Sequence, residues 1–252
     1  MYKIGKNARK KWMAAVMAAL VTVAAAAGCG KTDKAGAEER KERNSITVAA
    51  SSDTGSMDPA GSIALTYLTY SVSALDELLT FDADGEIDYR AAESYEVNED
   101  STVWTFHLRE EAVWSDGTPV TSADFLNTMT RALDPKSGSG YANYLFPIRN
   151  AEAIYNGEME SGELGVETPD DYTLIFYLEK PCVYFLDLLR LPVYTPSCST
   201  YAKETGSGWD TDPKTSVSNG PFYLAEYVPE QYMTLKKNES YWNADAVSLD
   251  EI

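Results

Sequence analysis

The stretch "STVWTFHLREEAVWSDGTPVTSADFLNTMTRAL", residues 101–133, changes hydrophobic period halfway along, and that change restricts the fold more than any other feature. In its first part Trp104, Phe106 and Leu108 alternate with Thr105, His107 and Arg109, the period of two that a half-buried strand requires. "SDGTP" supplies turn chemistry, with Gly117 suited to a positive φ and Pro119 fixing the exit. Thr121 or Ser122 then caps a helix, Asp124 faces the dipole in its first turn, and Phe125, Met129, Ala132 and Leu133 form its apolar stripe. Strand, turn and helix in one run exclude an all-helical bundle and an all-β sandwich.

The same mixture continues on both sides. "SITVAAS" alternates like a strand and opens the folded region, and "SSDTGSMDPAGS" is loop chemistry. Leu65, Leu68, Val72, Leu75, Leu78 and Leu79 recur at helical spacing. "FDADGEIDYRAAESYEV" reads as a turn between short extended segments, and "DYTLIFYLEKP" as a strand. A short helix is expected in "CVYFLDLLRL", directly after Pro181, and a hairpin around Val228-Pro229-Glu230. No strict βαβ alternation appears, so the class is mixed α/β of the α+β kind.

The first 45 residues have a different character. Lys3, Lys6, Arg9, Lys10 and Lys11 precede the apolar run "WMAAVMAALVTVAAAA", which leads into Ala27-Gly28-Cys29. A basic start, an apolar centre and a small-residue end make an export signal over residues 1–28. Cysteine directly after Ala-Gly resembles the bacterial lipobox and makes Cys29 the expected lipidation site, tethering the chain to a membrane. Residues 29–45 are charged and poor in large apolar groups, which suits a flexible stalk.

Charge narrows the partners. Without the five basic residues of the leader, 16 Lys+Arg face 39 Asp+Glu, a net charge of −23. Such a surface repels nucleic acid, so none is expected as a partner. Aromatic residues make up 12% of the chain, 17 of them tyrosines, which suits a cleft making amphipathic contacts.

Little in the chain points to catalysis. His107 is the only histidine, and no G-x-S-x-G or similar motif marks a nucleophile for it to serve. It reads as a structural side chain between apolar neighbours. Asp82, Asp84, Asp88 and Glu93 suggest calcium, but Gly85 falls at the fourth position of the loop instead of the sixth, and a hairpin turn explains the same residues. Glu110-Glu111 and Asp170-Asp171 are sequence neighbours whose side chains diverge, which is unsuitable for a glycosidase pair. No phosphate loop or dinucleotide fingerprint is present, so no cofactor is expected; no metal site or catalytic residue is assigned either. Cys182 and Cys198 leave two readings open, a disulfide permitted by export or two buried thiols.

"AAESYEVNEDSTVWTFHLREEAVWSDGTPVTSADFLNTMTRALDP" resembles the signature region of the family 5 solute-binding proteins, the peptide- and oligopeptide-binding subunits of ABC importers. "SMDPAGS" and "LDELLTFDADGEI" before it, then "SGYANYL", "LGVETPDDYTLIFYLEKPCVYFLDLL" and "SNGPFYLAEYVPEQYMTLKKNESYWNADAVSLDEI" after it, resemble family segments in the same order. The resemblance implies a periplasmic-binding-protein-like class II fold whose two lobes close on an extended peptide. Residues 46–77 and 201–252 would form the first-lobe core, and residues 78–200 an inserted subdomain.

The resemblance also implies ligand contacts. Tyr141 matches a cleft-lining tyrosine, although a packed aromatic is the other reading. Ser62, Ile63, Ala64 and Leu65 match backbone that pairs with peptide. Asn219 and Gly220 match the loop that re-enters the first lobe, serving either ligand or hinge. Glu77 stands where the family usually has glycine. Family members are roughly twice as long, so the second lobe is expected to be missing from this chain, as in a truncated gene product or a partial sequence.

The implied function is an exported, lipid-anchored peptide receptor on the outer face of the cytoplasmic membrane. It would be a monomer that hands peptide to an ABC permease and its ATPase subunits. The same fold serving nickel, a sugar or a signalling peptide is an alternative. From other classes, an exported carboxylate-dependent hydrolase and a non-functional single lobe remain to be weighed.

Overall fold

Strand β4, Val103–Leu108, is an inner strand of the largest sheet among the described residues, and the alternation read from its sequence is realised on its two faces. Trp104, Phe106 and Leu108 are buried, whereas Val103, Thr105 and His107 are half-exposed. A computed structural model describes residues 44–50, 52–53, 55–61, 70, 73–203 and 208–252. They belong to one compact unit, Arg43–Ile252.

Four antiparallel strands form the main sheet in the order β3-β4-β6-β5, with β3 at Ala92–Val97, β5 at Val166–Asp170 and β6 at Thr173–Tyr177. Register places Phe106 opposite Tyr95 on one side and Leu174 on the other. Phe106 meets Phe176 edge-on at 5.8 Å, and Phe176 meets Phe185 at 5.3 Å. Phe185 belongs to the short helix α3, Phe185–Leu188, which begins four residues after Pro181.

Helix α1, Ser122–Leu133, packs beside this sheet and buries Phe125, Met129, Ala132 and Leu133 completely. Thr121 is its N-cap, with the Asp124 carboxylate accepting the Thr121 N–H at 2.9 Å. Asp124 is 2% exposed and also accepts from Trp114 Nε1 at 3.1 Å and the Ser199 N–H at 2.8 Å. One carboxylate therefore caps the helix and holds two loops. Helix α2, Ala151–Tyr155, follows.

Two hairpins complete the unit. Strands β1, Leu79–Phe81, and β2, Ile87–Tyr89, pair across a turn in which Asp82 Oδ1 accepts the N–H groups of Asp84 and Glu86, each at 2.9 Å. Gly85 takes φ 83° there, a conformation glycine adopts without strain. Strands β7, Phe222–Val228, and β8, Tyr232–Lys237, pair around Pro229-Glu230, where Asp53 accepts the Glu230 N–H at 2.8 Å. Residues 250–252 lie along β8, with Leu235 and Ile252 exchanging backbone bonds of 2.9 Å.

Two sequence expectations need correction. Residues 45–50 of "SITVAAS" are not in a strand: Ser45 makes one parallel bridge to Glu251, and Ile46 and Val48 stay 46% and 53% exposed. Alternation there meets no second ladder among the described residues. The helical spacing expected through Leu78 and Leu79 also stops short, because Ser73 and Ala74 are helical, Leu75 to Glu77 are irregular and Leu79 enters β1. Distant partners take the backbone groups a helix would need. The Ala74 carbonyl accepts from Gly220 N–H at 3.0 Å and from the Ser218 hydroxyl, and the Leu78 carbonyl from Arg90 and Ala92. Leu65, Leu68 and Val72 lie outside the described residues, as does the leader with Cys29. Cys182 and Cys198 are buried free thiols. Among the described residues, no helix is long and apolar enough to cross a membrane.

Candidate functional site

Asp58 and Pro59 open a tight turn immediately before the four residues expected to meet ligand backbone. The Gly61 N–H reaches the Asp58 carbonyl at 3.2 Å, and the Ala60 N–H the Asp58 Oδ1 at 3.0 Å. Asp210 holds the turn from one side: its Oδ2 accepts the Ser56 hydroxyl at 2.6 Å, the Met57 N–H at 2.7 Å and the Asp58 N–H at 3.0 Å. Arg131 of α1 holds it from the other, giving Asp58 two bonds of 2.5 and 2.9 Å. A third, of 2.9 Å, runs from Arg131 to Ser197 Oγ.

Asp58, Arg131 and Asp210 are 1%, 8% and 4% exposed, so water screens these charges little. A buried ion pair gains little net stability over apolar packing, but removing one partner strands the other and costs about 3–5 kcal/mol. Two donors in this cluster, Arg131 Nε and Trp209 Nε1, are buried without a partner among the described residues. Each such group costs roughly 1–3 kcal/mol. Stability alone does not account for the arrangement. Nearby, burial and the Asp210 carboxylate push the Tyr70 hydroxyl up to about 12, against the opposing bond to Ser216.

A second polar cluster fixes the crossing of residues 74–77 and 218–221. The Asn219 side chain accepts the Asp76 N–H at 3.0 Å and donates to the Asp76 carbonyl at 3.1 Å. The Asp76 carboxylate receives Tyr241 Oη at 2.9 Å and Trp242 Nε1 at 3.0 Å. Burial raises the Asp76 carboxyl above its ordinary range, more than these two donors lower it. Glu77 beside it is pushed to about 7, chiefly by burial and further by Asp76, despite the pull of Arg90 and Arg190 and of its own backbone bond. Gly220 approaches this segment so closely that a Cβ would lie 2.7 Å from the Ala74 carbonyl carbon.

The residues singled out in the sequence fall in three places. Ser62, Ile63, Ala64, Leu65 and Cys29 lie outside the described residues. Asn219 and Gly220 are buried at the crossing, with the Asn219 amide engaged by Asp76. Tyr141 is half-buried just before a 3-10 turn, Ala142–Leu145, with its ring 5.7 Å from that of Tyr144, which is 41% exposed. Sequence reading missed Arg131 and Asp210. A signal existed for Arg131: Asp124, Thr128 and Arg131 recur at i, i+4 and i+7 on α1, a polar stripe beside the apolar one, and all three are buried.

Residues 86–252 match the sequence profile described as Bacterial extracellular solute-binding proteins, family 5 Middle. The chain is 34% identical over 242 residues to the Periplasmic oligopeptide-binding protein OppA of Escherichia coli K12, covering 95% of this chain and 43% of that protein. The crystal structure of an oligopeptide ABC transporter substrate-binding domain from Bacillus anthracis superimposes with a TM-score of 0.79 at 37% identity, over 84% of this chain and 41% of that one. Listeria monocytogenes OppA bound to peptide also gives 0.79, at 30% identity over 84% of this chain and 42% of that one. The chain thus spans about two fifths of the length of the proteins it resembles.

Proposed function

Because the chain belongs to the bacterial extracellular solute-binding proteins of family 5, we propose that it serves peptide uptake, as part of a receptor that captures peptides outside the cytoplasm for an ABC permease and its ATPase subunits. The observation that carries this reading is its likeness, at 30% identity or more, to oligopeptide-binding proteins in both sequence and structure. The buried frame around residues 56–61 supports it, since backbone recognition of an extended peptide needs a fixed edge. On this reading Ser62, Ile63, Ala64 and Leu65 pair with ligand backbone and Tyr141 lines the cleft. Asn219 and Gly220 hold the crossing between segments, closer to a hinge than to the ligand.

Several parts of the proposal rest on sequence. Residues 1–28 direct export, Cys29 carries the lipid, and residues 29–45 are a stalk that keeps the receptor near its permease at the outer face of the cytoplasmic membrane. Residues 46–77 and 201–252 belong to the first lobe, and 78–200 to its inserted subdomain. The protein acts as a monomer by binding, without turnover.

Equilibrium dialysis of the chain against a mixture of tri- to pentapeptides, followed by mass spectrometry of what is retained, tests the proposal. Retention of intact peptides at a one-to-one ratio is the expected result. Cleaved peptides would mark a hydrolase, and failure to retain any would remove peptide capture from what this chain does. Incorporation of labelled palmitate that Cys29→Ala abolishes would support the anchor.

A further inference from the structure

We infer that Asn156 is a site of spontaneous covalent modification: its side chain cyclises onto the backbone nitrogen of Gly157 and loses ammonia, while the fold prevents the same reaction at Asn219. Asn-Gly occurs twice in the chain, as Asn156-Gly157 and Asn219-Gly220. The two pairs are alike in sequence and opposite in setting.

The reaction needs only water as a co-reactant. The Gly157 nitrogen gives its proton to hydroxide and attacks Cγ of Asn156. The N–Cγ bond forms as the Cγ–Nδ2 bond breaks, and the departing nitrogen takes a proton from water and leaves as ammonia. Water then opens the cyclic imide at either carbonyl, giving aspartate or isoaspartate. One NH2 group is exchanged for OH, and nothing is oxidised or reduced. Glycine favours the step because no Cβ shields its nitrogen and its backbone turns freely.

Asn156 and Gly157 are exposed and follow α2, a helix of five residues. The Asn156 side-chain amide has no partner among the described residues. Backbone bonds from Asn156 to Glu152 at 3.0 Å, Gly157 to Ile154 at 2.9 Å and Glu158 to Ala153 at 2.8 Å close the helix end. With φ −79° and ψ −3° at Asn156, that end must fray before the nitrogen reaches Cγ. Exposed bonds at the end of so short a helix open readily. Space is available, since a Cβ on Gly157 would meet only Pro135 Cγ, at 3.8 Å, beyond its chain neighbours.

At Asn219 every requirement is blocked. The residue is 2% exposed, and both ends of its side-chain amide are bonded to the Asp76 backbone, at 3.0 and 3.1 Å. The Gly220 nitrogen, which would have to attack, donates to the Ala74 carbonyl at 3.0 Å. A Cβ on Gly220 would lie 2.7 Å from the Ala74 carbonyl carbon, so the backbone has no room to turn. Only separation of residues 74–77 from 218–221 would free it. The product at residue 156 is a carboxylate on the same helix end as Glu152 and Glu158, where further negative charge is unfavourable.

Incubation of the full chain, folded and in concentrated urea, followed by peptide mapping with mass spectrometry, tests this. In urea the two pairs should convert within about threefold of each other, since neither has a fixed setting there. In the folded chain Asn156 should convert at least about a hundredfold faster than Asn219, because buried segments open far less often than helix ends. Conversion at Asn156 should quicken from mildly acidic to mildly alkaline buffer and yield both aspartate and isoaspartate. Asn156→Gln, whose longer side chain closes the ring poorly, should remove the product and leave hydrogen exchange in β4 as in wild type. An intact Asn156 in the folded chain, once the unfolded chain has converted, would overturn the site. Conversion of Asn219 at a similar rate in the folded chain would overturn its protection by the crossing. A rate independent of pH, or aspartate as the sole product, would overturn the cyclic route.

Discussion

The sheet β3-β4-β6-β5 with α1 and the frame around residues 56–61 and 74–77 are both buried, but by opposite means. In the first, Phe106, Phe125, Met129, Leu174 and Phe176 are at most 1% exposed, and packing supplies the cohesion. In the second, Asp58, Asp76, Asp210 and Asn219 are at most 4% exposed, and directed bonds supply it. Packing is non-directional, whereas a carboxylate receiving three donors, such as Asp210, also fixes their direction. The apolar region can thus serve as a platform and the polar region as an alignment device mounted on it.

The largest expected effect lies in the platform. Phe106→Ala should cost about 3–5 kcal/mol, because a fully buried ring would be lost from the centre of the sheet. Chemical denaturation followed by near-ultraviolet dichroism and by hydrogen exchange should show both regions weakened together. A loss confined to the sheet would break the view that the frame depends on it. Gly220→Ala comes next, at about 1–3 kcal/mol, since its methyl group meets Ala74 backbone that cannot rotate away. Trp242 fluorescence should change, because its indole bonds Asp76 in the displaced segment, while exchange in β4 remains near wild type. Equal disturbance of β4 would show that the two regions are mechanically one.

The smallest effect is a dependence on pH. Glu77 is raised from an ordinary 4.5 to about 7, mainly by burial, with Asp76, Arg90 and Arg190 as its charged neighbours. In that interval the folded chain holds a proton that the unfolded chain has released. This contribution to stability is complete below about 4.5 and is lost as the pH rises through about 7. Glu77→Gln should flatten the stability profile between pH 5 and 8 by on the order of 1 kcal/mol relative to wild type. Melting curves across that range check it, and parallel profiles would remove Glu77 as the source.

What could be read beforehand divides along the same line. β4 and α1 were legible because alternation and the i, i+3, i+4 stripe are local consequences of a single buried face. The turn at Asp82 and the hairpin around Pro229-Glu230 were legible through residues that favour turns. Leu78 and Leu79 were misread because helical spacing there competes with backbone bonds to Gly220, Arg90 and Ala92, which no local pattern announces. The frame itself was hidden for the same reason: Asp58 and Asp210 are unremarkable in a chain with 39 acidic residues until the fold brings them to Arg131 and the turn, and only Arg131 left a trace, in the polar stripe of α1. Tyr141 could be located but not assigned, since a tyrosine packs or lines a cleft equally well.

Asp210 also imposes a schedule. Its bonds to Ser56, Met57 and Asp58 span 154, 153 and 152 residues, and the side chain of Asp250 accepts the Asn44 N–H from 206 residues away. At a synthesis rate of roughly 5–20 residues per second, Asp210 is joined to the chain about 8–30 seconds after Asp58. Sheet and helix bury their faces through nearer contacts, which close sooner than distant ones. The side-chain grip of Arg131 on Asp58, from 73 residues away, is therefore expected to form before the backbone grip of Asp210, from 152 residues away, so the turn sets in two stages.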